Sequence, residues 1–425
     1  MRFLYTLLAT LALPFASLVV LWRGLRERAY WEGWRARFGG GAALPGSARG
    51  IWLHAVSVGE VQASTSLVAA LRTRWPALPL VVTSATPAGR ARAREALGPG
   101  VDVRYAPYDL PWTVRAAMRR LRPALLVVME AELWPNLLQE CAQARVPVLL
   151  ASARMSARSA ARWARFRSLL QPALGNIVTV AAQSGADAAR FESLGVPAAS
   201  IRTCGNLKFD RTPDPAIRAR ARQLRERYAA ARPMWVAGST HPGEERAALE
   251  AHAAVRARYG DALLVLAPRH RPRFDEVAAL LAGSGVRWMR RTDAAANGGA
   301  VLLLDTIGEL EDFYAAADVA FVGGSLVPIG GHNLLEPAAL GVATLTGPHQ
   351  SNASEIARLL SESGGVQLVA DSNEIGAAIL RLLDDTSARA RMGAAAQATV
   401  AANQGALEKL LALVSERLQD AVSSR

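Results

Sequence analysis

The sequence predicts an α/β protein built from two doubly wound parallel sheets, and three observations carry that prediction. From Gly50 onward, short apolar runs alternate with helical segments. The runs are apolar throughout rather than at every second residue, which marks strands buried on both faces of a parallel sheet. A polar, charged stretch at 210–233 holds Pro213, Pro215 and Pro233 and divides the series into two halves of comparable size.

The chain opens on Phe3 to Trp22, an uncharged run of 20 residues interrupted by Pro14. That is about the length needed to cross a bilayer as a helix. Arg23, Arg26, Arg28, Arg35 and Arg37 follow, mixed with Tyr30, Trp31 and Trp34, and no small-residue cleavage site intervenes. Residues 1–22 therefore read as a retained membrane anchor and 23–49 as a basic juxtamembrane segment. The arginines outnumber Arg2 on the other flank, so a spanning helix would leave everything after Trp22 in the cytoplasm. A helix lying in the interface reads almost the same from sequence, because Pro14, Thr6, Thr10 and Ser17 weaken the span.

Residues 50–209 form the first expected domain. Its strands are Ile51 to Ala55, Leu78 to Thr83, Val101 to Tyr105, Ala124 to Met129, Val148 to Ala151 and Ile177 to Ala181, with helices such as Val61 to Thr73 and Glu132 to Ala144 between them. The second domain, 234–425, follows the linker at 210–233. Its strands are MWVAGS from 234, ALLVLAP from 262, VLLLD from 301, VAFVGG from 319 and VATLTG from 342, and the helical segments from Ser372 to Leu418 close it or cross back to the first.

Ligands of such sheets bind beyond the carboxyl ends of the strands, so the loops that follow each run are where chemistry is expected. The richest is Ala320 to Pro348. There a strand enters a loop with Gly323, Gly324, Gly330 and Gly331, and then a helix expected to open at Asn333 with Glu336 in its first turn. Glycines let backbone amides approach a ligand, a helix start offers unpaired amides, and a carboxylate accepts hydrogen bonds from hydroxyls. The combination suits a nucleotide linked to a sugar; an ordinary strand-to-helix crossover with a capped helix shares the pattern.

Other loops add Ser57, Gly59 and Glu60 in HAVSVGE; Glu130 and Glu132 in MEAELWPN; and Ser152, Arg154, Ser156 and Arg158 in SARMSAR. The second half adds Ser239, Thr240 and His241, then Arg269 and His270, then Glu309 in TIGE. Thr306 and Glu309 also have capping-box spacing, so Glu309 reads equally as a cap. His54 and His241 read as structural, and six scattered histidines give no metal-ligand spacing. The arginines from 154 to 167 recur at helical intervals with Trp163 and Phe166, either as a solvated face or as a surface for anionic headgroups or phosphates.

Composition bounds the function. Hydrophobic residues make up 51% of 425 positions, ample for two cores, and two cysteines cannot build a secreted disulfide framework. The formal net charge is +13, but among 49 basic residues only Lys208 and Lys409 are lysines. That bias points to an arginine-rich background rather than to nucleic-acid binding. It also singles out Lys208, in the polar turn GNLKFD, either as a place where a compact ammonium serves better than a planar guanidinium or as a surface lysine that survives by chance. No Asp-x-Asp pair and no GxxxxGK[ST] loop occurs, which disfavours a metal-dependent single-sheet nucleotide-sugar transferase and a P-loop NTPase.

HAVSVGE, APYDLP (106–111), MEAELWPN, SARMSARS, GNLKFD, APRH, FVGGSLV and GGHNLLEP, in this order, resemble the bacterial 3-deoxy-D-manno-octulosonic acid (Kdo) transferases of lipopolysaccharide assembly. The resemblance covers nearly the whole chain. It implies the GT-B fold, two Rossmann-like domains facing a cleft: the first binds the acceptor and the second the donor CMP-Kdo. It implies as acceptor the bisphosphorylated, acylated glucosamine disaccharide precursor of lipid A (lipid IVA), at the cytoplasmic face of an anionic inner membrane. By the same resemblance Glu60 matches the general base, and Glu130 and Lys208 match residues that stabilise the transition state. Pro268 and Arg269, then Ile307, Gly308 and Glu309, and Asn333, Leu334, Leu335 and Glu336 match the segments that hold CMP. Ser57, Gly59, Arg154, Ser239, Thr240, His241, Gly330 and Gly331 become donor or acceptor contacts. Leu334 departs from the proline of some relatives, a change that leaves backbone contacts available. No cofactor and no metal are expected. A nucleotide-sugar epimerase or an N-acetylglucosaminyltransferase would share the fold but lack the motif set, and a non-enzymatic membrane-attached binding protein would have no use for so many carboxylates.

Overall fold

A computed structural model describes residues 1–44, 49–211, 213–293 and 298–423. Residues 45–48 of the juxtamembrane segment and 212 of the expected linker lie outside the described residues. The chain divides into two compact units, one of residues 1–210 together with Asn403 onward, the other Arg211–Ala402.

The first unit holds a seven-stranded sheet of β1 (Gly50–His54), β2 (Leu80–Ser84), β3 (Asp102–Tyr105), β4 (Pro123–Met129), β5 (Val148–Ala153), β6 (Val178–Ala182) and β7 (Ile201–Thr203). Their order is β3-β2-β1-β4-β5-β6-β7, all parallel. The sequence progression reverses direction between β1 and β4, so the loops after these two strands flank the topological switch point. Both strands are almost wholly buried, with Trp52 and Leu53 of β1 and Leu126 and Val127 of β4 packed between helices on the two faces.

The second unit repeats the plan with β8 (Met234–Thr240), β9 (Leu263–Pro268), β10 (Trp288–Arg290), β11 (Val301–Leu303), β12 (Val319–Val322), β13 (Ala343–Thr346) and β14 (Val366–Leu368). The parallel order is β10-β11-β9-β8-β12-β13-β14, and the switch point falls between β8 and β12.

Two expected boundaries differ. The stretch at 210–233 is not a bare linker: it contains the helix Ile217–Tyr228, held within the second unit by Arg220 to Asp312 and Arg225 to Asp318. The domain boundary expected to run to 425 stops earlier, because the last helix, Ala406–Ser423, takes the second of its two expected courses and crosses back: Leu410, Leu411 and Val414 pack into the core of the first unit beside Ile51 and Leu53. The Asp210 carboxylate fixes its start by accepting the backbone N–H groups of Gly405 (2.5 Å) and Leu407 (2.6 Å). At the other end, the apolar run forms one helix, Arg2–Arg26, long and apolar enough to cross a membrane, and its most apolar window is not buried in the protein.

Candidate functional site

In the first unit, β1 ends at His54 and a three-residue turn leads to the helix Val58–Arg74, with Ser57 at the N-cap. Ser57 Oγ accepts the Glu60 N–H (3.3 Å) and donates to Glu60 Oε1 (2.7 Å), while Glu60 Oε2 accepts the Val56 N–H (2.8 Å). These reciprocal bonds are those of a capping box, displaced by one residue, and they fix the carboxylate at the carboxyl end of the sheet. Glu60 is only 7% exposed. Burial pushes its carboxyl from the ordinary 4.5 up to about 7, against the lowering effect of the Ser57 and Val56 hydrogen bonds; the charges of Glu132 and Glu130 push the same way as burial. A carboxylate poised near neutrality is suited to accept a proton from a hydroxyl. Gly59 has room for a side chain, with nothing nearer to an added Cβ than Ser57 Oγ at 3.8 Å.

Glu130 follows β4 directly, on the other side of the switch point, with φ of 54°. A non-glycine residue in the left-handed region costs on the order of 1 kcal/mol or more and persists where its surroundings hold it. Its N–H donates to Ala151 O (3.0 Å), which pins the turn. Its carboxylate lies between two cations, Arg154 Nη2 at 3.7 Å and Lys208 Nζ at 3.9 Å. Ser152 at the end of β5 (φ 51°) and Ser239 at the end of β8 (φ 56°) show the same backbone form, so strained residues recur where strands deliver their loops.

Lys208 stands on the short turn Leu207–Asp210. Leu207 and Phe209 are buried on either side of it, Asp210 holds the last helix, and the Leu207 N–H donates to Ser152 Oγ (3.3 Å). The side chains around Lys208 anchor the turn, and its own is left to face the Glu130 carboxylate. Glu60, Ser57, Glu130, Arg154 and Lys208, far apart in sequence, are thus brought to one end of one sheet.

The second unit places Ser239, Thr240 and His241 after β8 and the glycine loop after β12, again flanking the switch point. Here the loop differs from expectation. The amides of Gly324, Ser325 and Leu326 do not face a ligand; they donate to the carboxylate of Glu244 (2.7, 2.9 and 2.9 Å), which also accepts the His241 N–H (2.9 Å). Glu244 is 1% exposed, so the nest of amides is already filled by the protein's own anion. Gly323 is required because a Cβ there would meet Glu244 Oε2 at 2.7 Å. Sequence reasoning missed Glu244, though two adjacent acids, Glu244 and Glu245, at a helix start were a visible signal.

His241 Nε2 and His332 Nε2 are 2.8 Å apart with the rings stacked, and His270 meets His241 edge-on. Burial lowers His332 to about 4, helped by Arg269 and the other two histidines, and burial lowers His241 as well. This is a neutral, hydrogen-bonded pair, and no cluster suited to a metal ion occurs among the described residues. Arg269, just past Pro268 at the end of β9, is exposed and makes no ion pair or side-chain hydrogen bond among the described residues, while its N–H donates to Thr240 O (3.1 Å). Its guanidinium is thereby open to an anionic ligand.

Two further expectations are corrected. The helix does not open at Asn333: it runs only from Leu335 to Ala339, and Asn333 Oδ1 accepts the Leu335 N–H (3.1 Å) as a local turn. Five residues give little macrodipole. The Glu336 carboxylate is taken by Arg211 (2.8 Å) and Asn333 Nδ2 (3.2 Å), and Leu334 and Leu335 are buried, leaving backbone atoms to any ligand. Glu309 is not a capping-box acid either. It precedes the helix Leu310–Ala316, and its carboxylate pairs with Arg291 (2.6 Å) and accepts from Thr306. Beside it Ile307 is exposed and Gly308 has φ of 93°. Gly330 (φ 109°) and Gly331 (φ 77°) fold tightly against Asn352 and Gln350, where a Cβ would collide with side-chain atoms.

A family profile described as 3-Deoxy-D-manno-octulosonic-acid transferase (kdotransferase) matches residues 32–211. The chain is 37% identical to a 3-deoxy-D-manno-octulosonic acid transferase of Haemophilus influenzae, over 98% of this chain and 99% of the relative. It is also 37% identical to one of Bordetella pertussis, over 95% of this chain and 97% of the relative. Among solved structures, a glycosyltransferase from Rickettsia africae superposes on 88% of this chain and 99% of its own at a TM-score of 0.58; the 12% identity makes this a likeness of fold.

Proposed function

The chain belongs to the 3-deoxy-D-manno-octulosonic acid (Kdo) transferase family, and we propose that it moves Kdo from CMP-Kdo to the lipid A precursor lipid IVA, with Glu60 as general base and without a metal ion. It is a glycosyltransferase with the two-sheet GT-B fold, placed in lipopolysaccharide biosynthesis. The observation that carries the mechanism is the Glu60 carboxylate, buried, oriented by Ser57 and Val56, and raised to about 7.

In the proposed reaction an acceptor hydroxyl oxygen forms a bond to the anomeric carbon of Kdo and gives its proton to Glu60. The bond from that carbon to the phosphate oxygen breaks, and CMP leaves with the electron pair. The hydroxyl grows acidic as it attacks, so a carboxylate suffices as base. Charge developing on the leaving phosphate requires fixed cations. The exposed Arg269 is offered for that role, and Lys208, its ammonium facing Glu130, is proposed to stabilise the transition state. Pro268, Arg269, Ile307 to Glu309 and Asn333 to Glu336 are proposed to hold CMP. Because the Gly324 to Leu326 amides are occupied, the phosphate would rely on side-chain cations more than on that loop. Ser57, Gly59, Arg154, Ser239, Thr240, His241, Gly330 and Gly331 remain candidate substrate contacts.

Attachment to the cytoplasmic face of the inner membrane is proposed through the helix Arg2–Arg26 and the arginines that follow it. The whole reading is tested by incubating the purified chain with CMP-Kdo and lipid IVA and weighing the product: a mass increase of one or more Kdo units, competed by CMP and not by UDP, is expected. An unchanged acceptor mass would overturn it.

A further inference from the structure

A helix anchored in a bilayer either crosses it or lies in its plane, and the two differ in where the first residues end up. The helix Arg2–Arg26 is about 37 Å long at 1.5 Å per residue, enough to cross a hydrocarbon core of about 30 Å. Its first turns are nevertheless held by the first unit. Arg2 Nη2 donates to Glu140 Oε1 (3.1 Å), Tyr5 Oη to Asp109 Oδ2 (2.7 Å) and Thr6 Oγ1 to Asn136 Oδ1 (3.1 Å).

These acceptors belong to the fold itself. Asp109 also receives the Asn136 and Leu137 N–H groups (3.1 and 2.7 Å) at the start of the helix Pro135–Gln143, and the Glu140 side chain, 2% exposed, is shared with Arg115 (2.6 Å).

The far end of the helix returns to the same region. Trp31 Nε1 donates to Leu21 O (3.2 Å), and the indole lies against Gly24, where a Cβ would have no room. The Ala29 carbonyl accepts from Tyr105 Oη (2.8 Å), and Phe38 packs on Tyr108 and Trp112, the residues that bracket Asp109.

A helix that crossed would carry Arg2 and Tyr5 to the opposite surface and strip a donor each from Glu140 and Asp109, two buried carboxylates. The surface of the helix agrees with the alternative. Tyr5, Thr6, Ala9, Leu13, Ser17 and Val20 are partly covered at helical spacing, a stripe that begins with the residues bonded to the first unit, Tyr5 and Thr6. Phe3, Leu7, Leu11, Phe15, Leu18 and Trp22 run along the middle of the exposed side, a broad apolar face that Leu4, Leu8, Val19, Leu21 and Leu25 widen. Exposed Trp31 and Trp34 stand beside Arg23, Arg26, Arg28 and Arg35, the pairing of aromatic and cationic side chains that suits the headgroup region of an anionic leaflet.

We propose that the N-terminal helix lies in the plane of an anionic bilayer, exposed face toward the lipid, with both of its ends on the side that carries the first unit, and does not cross. The inference rests on the reading of this helix as the anchor, and it sharpens that reading by assigning a monotopic attachment. Lipid would be met lengthwise by that apolar face, which sets the first unit close against the leaflet from which a lipid-linked acceptor is drawn.

The test uses the full chain with a short protease-cleavable epitope placed before Met1, expressed in a bacterium with two membranes. Intact spheroplasts and inverted inner-membrane vesicles are each treated with a protease that cannot pass the membrane. Loss of the epitope in inverted vesicles with its protection in spheroplasts is the expected result. Loss in spheroplasts, with the chain still sedimenting with membranes, would mean that the helix crosses and would overturn the in-plane placement while leaving the anchor intact. Recovery of the chain in the soluble fraction would overturn the anchor reading and this inference together.

Discussion

Replacing Glu60 by glutamine separates the hydrogen bonds it makes at a helix start from its proposed role as base. The amide keeps one oxygen for the Val56 N–H and can donate to Ser57 Oγ, so the cap is preserved. The charge is not. In the folded protein the Glu60 carboxyl titrates near 7, and in the unfolded chain near the ordinary 4.5. As pH rises through that window the unfolded chain has already lost the proton while the folded protein still holds it, so the wild type loses stability from pH 4.5 to about 7. The whole difference amounts to about 3 kcal/mol. Glu60→Gln lacks this slope and is expected to gain up to that amount relative to the wild type above pH 7, read from denaturation midpoints across pH. Its transfer rate is expected to fall by about 10² to 10⁴, with CMP binding retained. In the wild type, kcat/KM should rise with pH through an apparent value near 7, and that limb should vanish in the variant. Near-normal turnover by Glu60→Gln, or an unchanged acid limb, would remove Glu60 from the role of base.

Lys208→Arg tests whether an ammonium is needed beside Glu130: a planar fork would turn onto that carboxylate, and the rate should drop at least about tenfold, about 1.4 kcal/mol in barrier, with the melting temperature unmoved. Wild-type kinetics would return Lys208 to the surface. Glu244→Ala strands four buried or half-buried amides and should cost the second unit on the order of 3 kcal/mol, measured by chemical denaturation; a loss under about 1 kcal/mol would mean the loop finds other acceptors. Saturating EDTA should leave the transfer rate within about twofold, below about 1 kcal/mol in barrier, and inhibition reversed by added magnesium would contradict the metal-free reading.

The legible parts of the fold are those whose signal is local. Central strands such as β4 and β8 are continuous apolar runs and are readable as such; β7, β10 and β14 are three residues each, partly exposed at or near sheet edges, and leave no pattern. The last helix shows an apolar stripe in sequence, but a stripe does not name the core it enters, and Leu410 and Val414 enter that of the first unit. The glycine loop reads as a ligand cradle in sequence because its natural partner, Glu244, is 80 residues from Gly324. Lys208 is legible for a different reason: in a chain that uses arginine almost everywhere, a lysine stands out by composition alone.

Ser57 with Glu60 and Thr306 with Glu309 show where reading by spacing stops. The two pairs share the same three-residue interval ahead of a helix, and nothing within either tetrapeptide predicts different fates. Glu60 stays with its helix because its partners are Ser57 and the Val56 amide, and the charged groups that act on it are Glu130 and Glu132 rather than a cation. Glu309 is drawn off by Arg291, from the segment after β10, and the helix begins one residue later without it. At Glu60, burial, with other carboxylates nearby, favours the proton. The difference between an acid that anchors a loop and one able to exchange a proton near neutral pH is therefore set by which strand delivers a neighbour, a tertiary fact that a local motif does not contain.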